Sequence, residues 1–108
     1  MNNQEFIVVD SQVIVNLAGN LQGKIAAQVR ETMLKYIENG YYNFKVDFSN
    51  VTDINSTGLG MLVNIQKRTL QNGGDIIIHG LHGIVKAAFD RTRLTKAFNI
   101  LDDNPAVA

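Results

Sequence analysis

The chain has 108 residues, of which 45% are hydrophobic and 19% charged, and its ten basic and ten acidic side chains give zero formal net charge. This composition is too apolar for a disordered chain and predicts one domain over residues 1–108. Zero net charge without a basic cluster argues against nucleic acid as a binding partner. The sequence has neither a signal peptide nor an apolar stretch of ~20 residues, which predicts a cytoplasmic protein without a membrane segment.

The first third of the chain predicts a β-hairpin followed by a helix. Two runs rich in β-branched residues, 6–9 and 13–17, are separated by three turn-forming residues, as in a hairpin. Apolar residues then recur every four positions from Ile25 to Ile37, which predicts an amphipathic helix. The Asn39-Gly40 pair is expected to end it.

The middle of the chain predicts a strand followed by a second helix. Residues 44–48 alternate as a strand does, and Ser49-Asn50 is expected to end it. Residues 51–54 are either a connector or a continuation of that strand. A helix then opens at residues 55–58 and closes at 72–74. The residues at helical spacing are Leu59, Leu62, Val63, Gln66 and Leu70. Most of the four apolar ones are expected to pack against the sheet.

The last third predicts a buried strand and two more helices. Residues 75–79 form an apolar run between helices, as a parallel strand does. Apolar residues at 84–89 predict a third helix, those at 94–98 a short fourth one, and residues 102–108 a frayed tail. The order ββαβαβα plus a short helix predicts an α/β domain whose mixed, mostly parallel sheet is covered by amphipathic helices.

No complete catalytic set is present in the sequence. The chain has no cysteine, and its two histidines, His79 and His82, are fewer than the ligands a metal site requires. Asp47, Asp53 and Asp75 lie near predicted strand ends, where they serve equally well in turns and helix starts. We therefore expect no catalytic residue, no metal and no cofactor, and a small enzyme using Asp47 and Asp53 is the least favoured hypothesis.

The start of the second helix is the most informative segment. Asn55, Ser56 and Thr57 can each cap a helix, although one cap needs only one such residue. The positive end of the helix dipole also suits a phosphate group. Two interpretations remain open: a plain cap with a close-packing glycine, or an accessible hydroxyl at a docking surface. In the second, the missing side chain of Gly58 lets another protein approach the helix closely.

Residues 46–51 and 55–60 resemble the signature of the STAS family, the bacterial anti-sigma factor antagonists. That signature is a strand ending in Asp-Leu-Ser or a similar triplet, followed by Asp-Ser-Ser/Thr-Gly-Leu-Gly at the start of a helix. The likeness continues through the Asn-Gly-Gly turn at 72–74, the apolar strand after it, and residues 85–89. It covers nearly the whole chain and agrees with the predicted order of elements.

The resemblance implies a regulator that binds a protein partner and is not itself an enzyme. In the family, an anti-sigma factor with serine kinase activity phosphorylates the first hydroxyl residue of the motif, and this partner switching regulates transcription. That residue is Ser56 here, and Thr57 matches the following Ser/Thr. The expected partner-binding residues are Asn20, Gln22, Asn55, Ser56, Thr57 and Gly58.

The chain departs from the family pattern at three charged positions. Asn55 stands where the family usually has Asp, and Asn20-Leu21-Gln22 replaces an acidic loop, Glu-Leu-Asp, which is implicated in docking the kinase. Asn55 keeps the acceptor oxygen of Asp and can still cap the helix or orient Ser56. These neutral residues favour an alternative function, an unphosphorylated STAS scaffold or sensor that assembles with other STAS proteins.

Overall fold

The computed structural model describes residues 4–101, which form five strands and three helices. The strands are β1 (Glu5–Val9), β2 (Gln12–Leu21), β3 (Asn43–Ile54), β4 (Asp75–His79) and β5 (Asn99–Ile100). The helices are α1 (Gly23–Glu38), α2 (Ser56–Gln71) and α3 (Gly83–Arg91), and a 3-10 turn covers Leu94–Lys96. The predicted order is confirmed, with the short strand β5 added; the predicted frayed tail lies outside the described residues.

The five strands form one sheet in the order β1-β2-β3-β4-β5. β1 runs antiparallel to β2 and the other neighbours pair in parallel, so the prediction of a mixed, mostly parallel sheet is confirmed. The hairpin turn is one residue shorter than expected, because Gln12 already pairs with Val9. Asp10 and Ser11 form this turn with φ of 50° and 69°, the left-handed backbone that a tight two-residue hairpin requires.

Strand β3 is longer than predicted because it contains two irregularities. Asn16 pairs with Asp47 and Ala18 with Asn50, so β3 carries an extra residue there, and another lies before Asp53. The expectation that Ser49-Asn50 ends the strand is therefore wrong. Each extra residue breaks the period-2 alternation, and this is why the buried residues past the bulge, Val51 and Ile54, lie three apart. Residues 51–54 are a continuation of the strand.

The helices cover one face of the sheet, where the core lies. The predicted face of α1 is confirmed, with Val29, Met33 and Ile37 buried. In α2, Leu62 is fully buried, but the expectation that Val63 and Leu70 pack against the sheet is wrong, because both are exposed. The buried stripe of α2 is centred on Leu62, Ile65 and Thr69, which leaves those two residues at its flank. Within residues 4–101, no helix has both the length and the apolar character to span a membrane.

Candidate partner-binding site

Helix α2 begins with a cap that does not use the hydroxyl of Ser56. The backbone of Asn55 is extended, and its side-chain Oδ1 accepts a hydrogen bond of 3.1 Å from the amide of Gly58. Ser56 and Thr57 follow as exposed residues of the first turn. Within the described part of the chain, the Ser56 hydroxyl makes no hydrogen bond. Of the three residues able to cap this helix, Asn55 therefore forms the cap and Ser56 does not.

The end of strand β2 lies beside the start of α2. The sheet register pairs Asn20 with Asp53 and Leu21 with Ile54, one residue before Asn55. Asn20 is exposed, and its Oδ1 lies 3.4 Å from the hydroxyl of Thr52. Gln22 follows as the half-buried residue before α1, and its side chain makes no capping hydrogen bond. The fold thus brings the two segments of the predicted surface to one end of the domain.

Gly58 does not have the role predicted for it. The residue is buried, and a Cβ atom placed on it would lie 2.2 Å from the carbonyl oxygen of Leu21 and 2.8 Å from Cγ1 of Ile54. The missing side chain therefore lets β2 approach α2 inside this domain. A plain cap with a close-packing glycine is therefore confirmed at this helix start. The prediction that another protein approaches the helix at Gly58 is wrong, because the strand end already occupies that space.

The open glycine of this helix is Gly60, which the sequence reasoning did not select. It is exposed, and a Cβ atom on it would meet nothing within 4 Å. Gly60 lines a shallow groove of about 280 Å³ between α1 and α2. The other lining residues are Ala26, Ala27, Arg30, Thr57, Met61 and Asn64. The spacing of Thr57, Gly60 and Asn64 along one helix face is the signal that could have revealed the groove.

The surface around the groove carries few negative charges. Neither α1 nor α2 has an acidic residue in its first turn. Lys24 is exposed at the start of α1, and Arg30 lines the groove one turn and a half later. The carboxylate of Asp53 accepts a hydrogen bond of 2.8 Å from the amide of Ile54. The two helix starts therefore retain most of their positive dipole ends, which suits an anionic group.

A second polar cluster lies where β3 and β4 separate. The Asp47 carboxylate accepts hydrogen bonds from the Ser49 amide at 2.8 Å and the Ser49 hydroxyl at 2.6 Å. His79 Nδ1 is 3.9 Å from the same oxygen, and His82 Nε2 is 2.9 Å from the Ser49 carbonyl oxygen. Burial raises the pKa of Asp47, but the Ser49 hydrogen bonds and the nearby His79 outweigh it and lower this pKa below its ordinary value. These bonds tie the β4–α3 connection to β3.

The described residues contain no group of three or more His, Cys, Asp or Glu side chains placed to hold a metal ion. Asp47 accepts both of its short hydrogen bonds from Ser49, and Asp75 contacts Gln66 and the Ile76 amide. The Asp47 carboxylate is thus engaged within β3, and that of Asp75 holds the start of β4 against α2. The carboxylate of Asp53 accepts a hydrogen bond from the amide of the next residue, Ile54. This is a local backbone role of the kind expected from the sequence for Asp47, Asp53 and Asp75.

Comparison with known proteins places these features in a family. The model of the STAS domain matches residues 3–105. The anti-sigma-B factor antagonist of Staphylococcus epidermidis is 28% identical over 98 residues, which cover 91% of either chain. A candidate anti-sigma factor antagonist of Thermotoga maritima has a similar crystal structure, with a TM-score of 0.86 and 24% identity over 96% of this chain and 90% of that one.

The same fold occurs in SpoIIAA, whose structure is known in two forms. The unphosphorylated anti-sigma factor antagonist matches with a TM-score of 0.77 and 16% identity, over 96% of this chain and 92% of that one. The phosphorylated Bacillus protein matches with a TM-score of 0.74 and 17% identity, over 96% of both chains. The sheet order, the α2 start and the family match over residues 3–105 agree, and the chain belongs to the STAS domain family.

Proposed function

We propose that this protein is an anti-sigma factor antagonist that works by partner switching. Its surface around Ser56 binds an anti-sigma factor, so that the sigma factor is released for transcription, and phosphorylation of Ser56 ends this binding. The name of the Staphylococcus epidermidis relative supports the first half of the proposal. The structures of SpoIIAA with and without phosphate support the second half.

The observation that carries the proposal is the state of the Ser56 hydroxyl. It lies in the exposed first turn of α2 and makes no hydrogen bond within residues 4–101, because Asn55 already caps the helix. A kinase can therefore reach this hydroxyl without breaking an interaction of the fold. Asn20 and Gln22, at the neighbouring strand end, extend the polar surface on which a partner would rest.

Phosphorylation at this position acts on the complex more than on the free protein. A phosphoserine adds about −1.5 to −2 charges at neutral pH. In the free protein the positive end of the α2 dipole stabilises that charge. In the complex the same charge would be buried without a counter-charge and would occupy the volume of the partner. The affinity for the anti-sigma factor therefore falls while the fold persists.

In this reaction the chain is the phosphoryl acceptor and its partner is the catalyst. An anti-sigma factor with serine kinase activity supplies ATP and Mg²⁺. The Ser56 oxygen forms a bond to the γ-phosphorus, the bond between that phosphorus and ADP breaks, and the hydroxyl proton passes to the kinase. The missing negative charges in the first turns of α1 and α2 favour the approach of the ATP phosphates.

A second candidate function has one observation in its favour. Asn20, Gln22 and Asn55 are neutral where the family carries acidic residues, and the register of β2 with β3 brings the end of β2 next to the strand end that leads into Asn55 and Ser56. A kinase that recognises carboxylates at these positions would bind this surface poorly. The chain would then serve as an unphosphorylated scaffold or sensor that assembles with other STAS proteins. Incubation with ATP and the anti-sigma factor, followed by intact mass measurement, separates the two functions.

The test of the proposal is the affinity for the anti-sigma factor across three proteins. That partner is captured from the native cell by the wild-type chain and identified by mass. Ser56→Ala should keep the affinity within about twofold and abolish phosphorylation, because the hydroxyl is not part of the cap. Ser56→Asp should weaken binding by about 2–5 kcal/mol through a buried, unpaired charge.

A matched control is Ser11→Asp in the hairpin turn, which is also exposed. It introduces the same charge away from α2 and should leave the affinity unchanged. Unfolding measured alongside confirms that each variant keeps its fold. Equal affinities for the wild type, Ser56→Ala and Ser56→Asp would contradict the proposal.

A further inference from the structure

Strand β1 forms an apolar edge of the sheet. Among the described residues it pairs only with β2, and its other side has no strand neighbour. Ile7, Val8 and Val9 follow one another with 54%, 40% and 50% of their surface exposed. Edge strands are ordinarily protected by charged side chains, proline or a bulge, because their free backbone groups pair readily with another strand. β1 carries a single charge, at its first residue Glu5, and it has no lysine, proline or bulge along its regular register with β2.

The hairpin geometry shows which backbone groups of β1 point outward. In a two-residue hairpin the residues that flank the turn, Val9 and Gln12, form a hydrogen-bonded pair. Hydrogen-bonded and non-bonded pairs then alternate along an antiparallel ladder. The backbone groups of Ile7 are therefore hydrogen-bonded to Ile14 of β2, whereas the amide and carbonyl groups of Phe6 and Val8 point away from the sheet.

We propose that this edge binds β1 of a second copy of the chain, in an antiparallel pair centred on Ile7. In that register Phe6 lies opposite Val8 of the second copy and Val8 opposite its Phe6. Both carry the outward backbone groups, so a hydrogen-bonded pair forms on either side of the twofold axis. The two sheets become one continuous sheet, as an isologous interface allows.

Charge favours a second copy in this register. Glu5 is the only charged residue of β1, and it lies opposite Val9 of the second copy, so that no like charges face each other. The formal net charge of zero removes long-range repulsion between copies. The two Ile7 side chains meet on the sheet face that carries no helix, beside Ile14 of β2. The self-complementary pattern of this strand thus favours its own copy over an unrelated strand.

The first test is sedimentation of the whole chain over a range of concentrations. The wild type should shift from monomer to dimer as concentration rises. Val8→Pro removes an outward amide and keeps the ladder to β2, so it should weaken dimerisation at least about tenfold. Ile7→Lys places two like charges on the axis and should do the same. Ile84→Lys, the matched change at an exposed isoleucine of α3, should behave as wild type.

The second test uses the absence of cysteine from the chain. Residues on the axis form a non-bonded pair with Cβ atoms ~4.5–5.5 Å apart, so Ile7→Cys should give a disulfide-linked dimer under mild oxidation. Val9→Cys lies on the same strand at similar exposure, but the two introduced thiols would be about 13 Å apart. It should therefore cross-link much more slowly.

Three outcomes would overturn the inference. A wild type that stays monomeric up to about 1 mM has no such interface, since that limit corresponds to only about 4 kcal/mol of binding. A dimer that Ile7→Lys and folded Val8→Pro leave unchanged forms through another surface. Cross-linking of Val9→Cys as fast as that of Ile7→Cys shows a different register. None of these outcomes bears on Ser56, so the proposed function is tested separately.

Discussion

The cap of helix α2 and the second half of that helix use a side-chain amide in opposite ways. The cap residue Asn55 is exposed, and its side-chain oxygen accepts one hydrogen bond, from the amide of Gly58. In the second half, Gln66 is only 4% exposed and reaches across to other elements. Its Nε2 donates to Asp75 Oδ1 at 2.7 Å and to the Ala97 carbonyl at 3.1 Å.

The carbonyl oxygen of the Gln66 side chain is also fully used. It accepts hydrogen bonds from the Thr69 hydroxyl at 2.7 Å and from the Ile76 amide at 3.1 Å. The amide thus joins α2 to β4 and to the residue that follows the 3-10 turn. Helix α2 is therefore fixed by its second half and by Gly58, and the side chains of Ser56 and Thr57 are not needed to hold it. A surface for a partner can therefore vary there at little cost to the fold.

The largest difference in stability is expected when one methyl group is added to either glycine of α2. Gly58→Ala should destabilise the protein by about 3 kcal/mol or more, because its Cβ would collide with the Leu21 carbonyl. Gly60→Ala, two residues along, meets no atom and should stabilise the helix by about 0.5–1 kcal/mol. Urea unfolding measures both. Equal effects would show that the strand end is not packed against Gly58.

The second prediction concerns the buried amide. Gln66→Met preserves length and removes the polar atoms, so the Ala97 carbonyl loses its donor and Asp75 one of its partners. The loss of stability should be about 2 kcal/mol. The loss of stability is not larger because both donors to the Gln66 side chain keep a second acceptor. The Thr69 hydroxyl still donates to the Gln66 backbone carbonyl, and the Ile76 amide still donates to the Asp75 carboxylate. Gln71→Met, an exposed change on the same helix, is the control and should be nearly neutral in thermal unfolding.

The smallest effects are expected at the helix start. Asn55→Ala removes the cap and should cost about 1 kcal/mol, whereas Asn55→Asp should retain the capping oxygen and the stability. Ser56→Ala should change the free energy of unfolding by less than about 0.5 kcal/mol, since the hydroxyl holds nothing. Chemical denaturation of the three variants decides the matter. A larger loss for Ser56→Ala than for Asn55→Ala would reverse the assignment of the cap.

Local patterns in the sequence were sufficient to predict the buried face of an element whose own periodicity defines that face. The four-residue period from Ile25 to Ile37 fixes the buried face of α1, because a helix needs no partner to define its period. The end of β3 could not be predicted in this way. Its extra residues are defined only by the register with β2, a strand distant in sequence.

The candidate site shows the same division. The sequence predicts that α2 starts near Asn55 with an accessible hydroxyl, and the structure agrees. Which of the neighbouring polar residues forms the cap depends on backbone angles that composition does not encode. The packing of Gly58 depends on Leu21, and Gly60 becomes a groove residue only when α1 lies beside it. Residues in contact across the fold decide these roles.

The length of β3 leaves its second half paired on one side only. Its residues up to Asp47 pair on both sides, with β2 and β4, whereas within residues 4–101 those from Asn50 to Ile54 pair only with β2. Detaching this segment breaks one ladder of hydrogen bonds instead of two. Opening this segment alone therefore breaks fewer backbone hydrogen bonds than opening the two-sided part of β3, although it also exposes the buried side chains of Val51 and Ile54. The residues proposed to meet the partner follow directly on this one-sided segment, so a partner docked there would slow its opening.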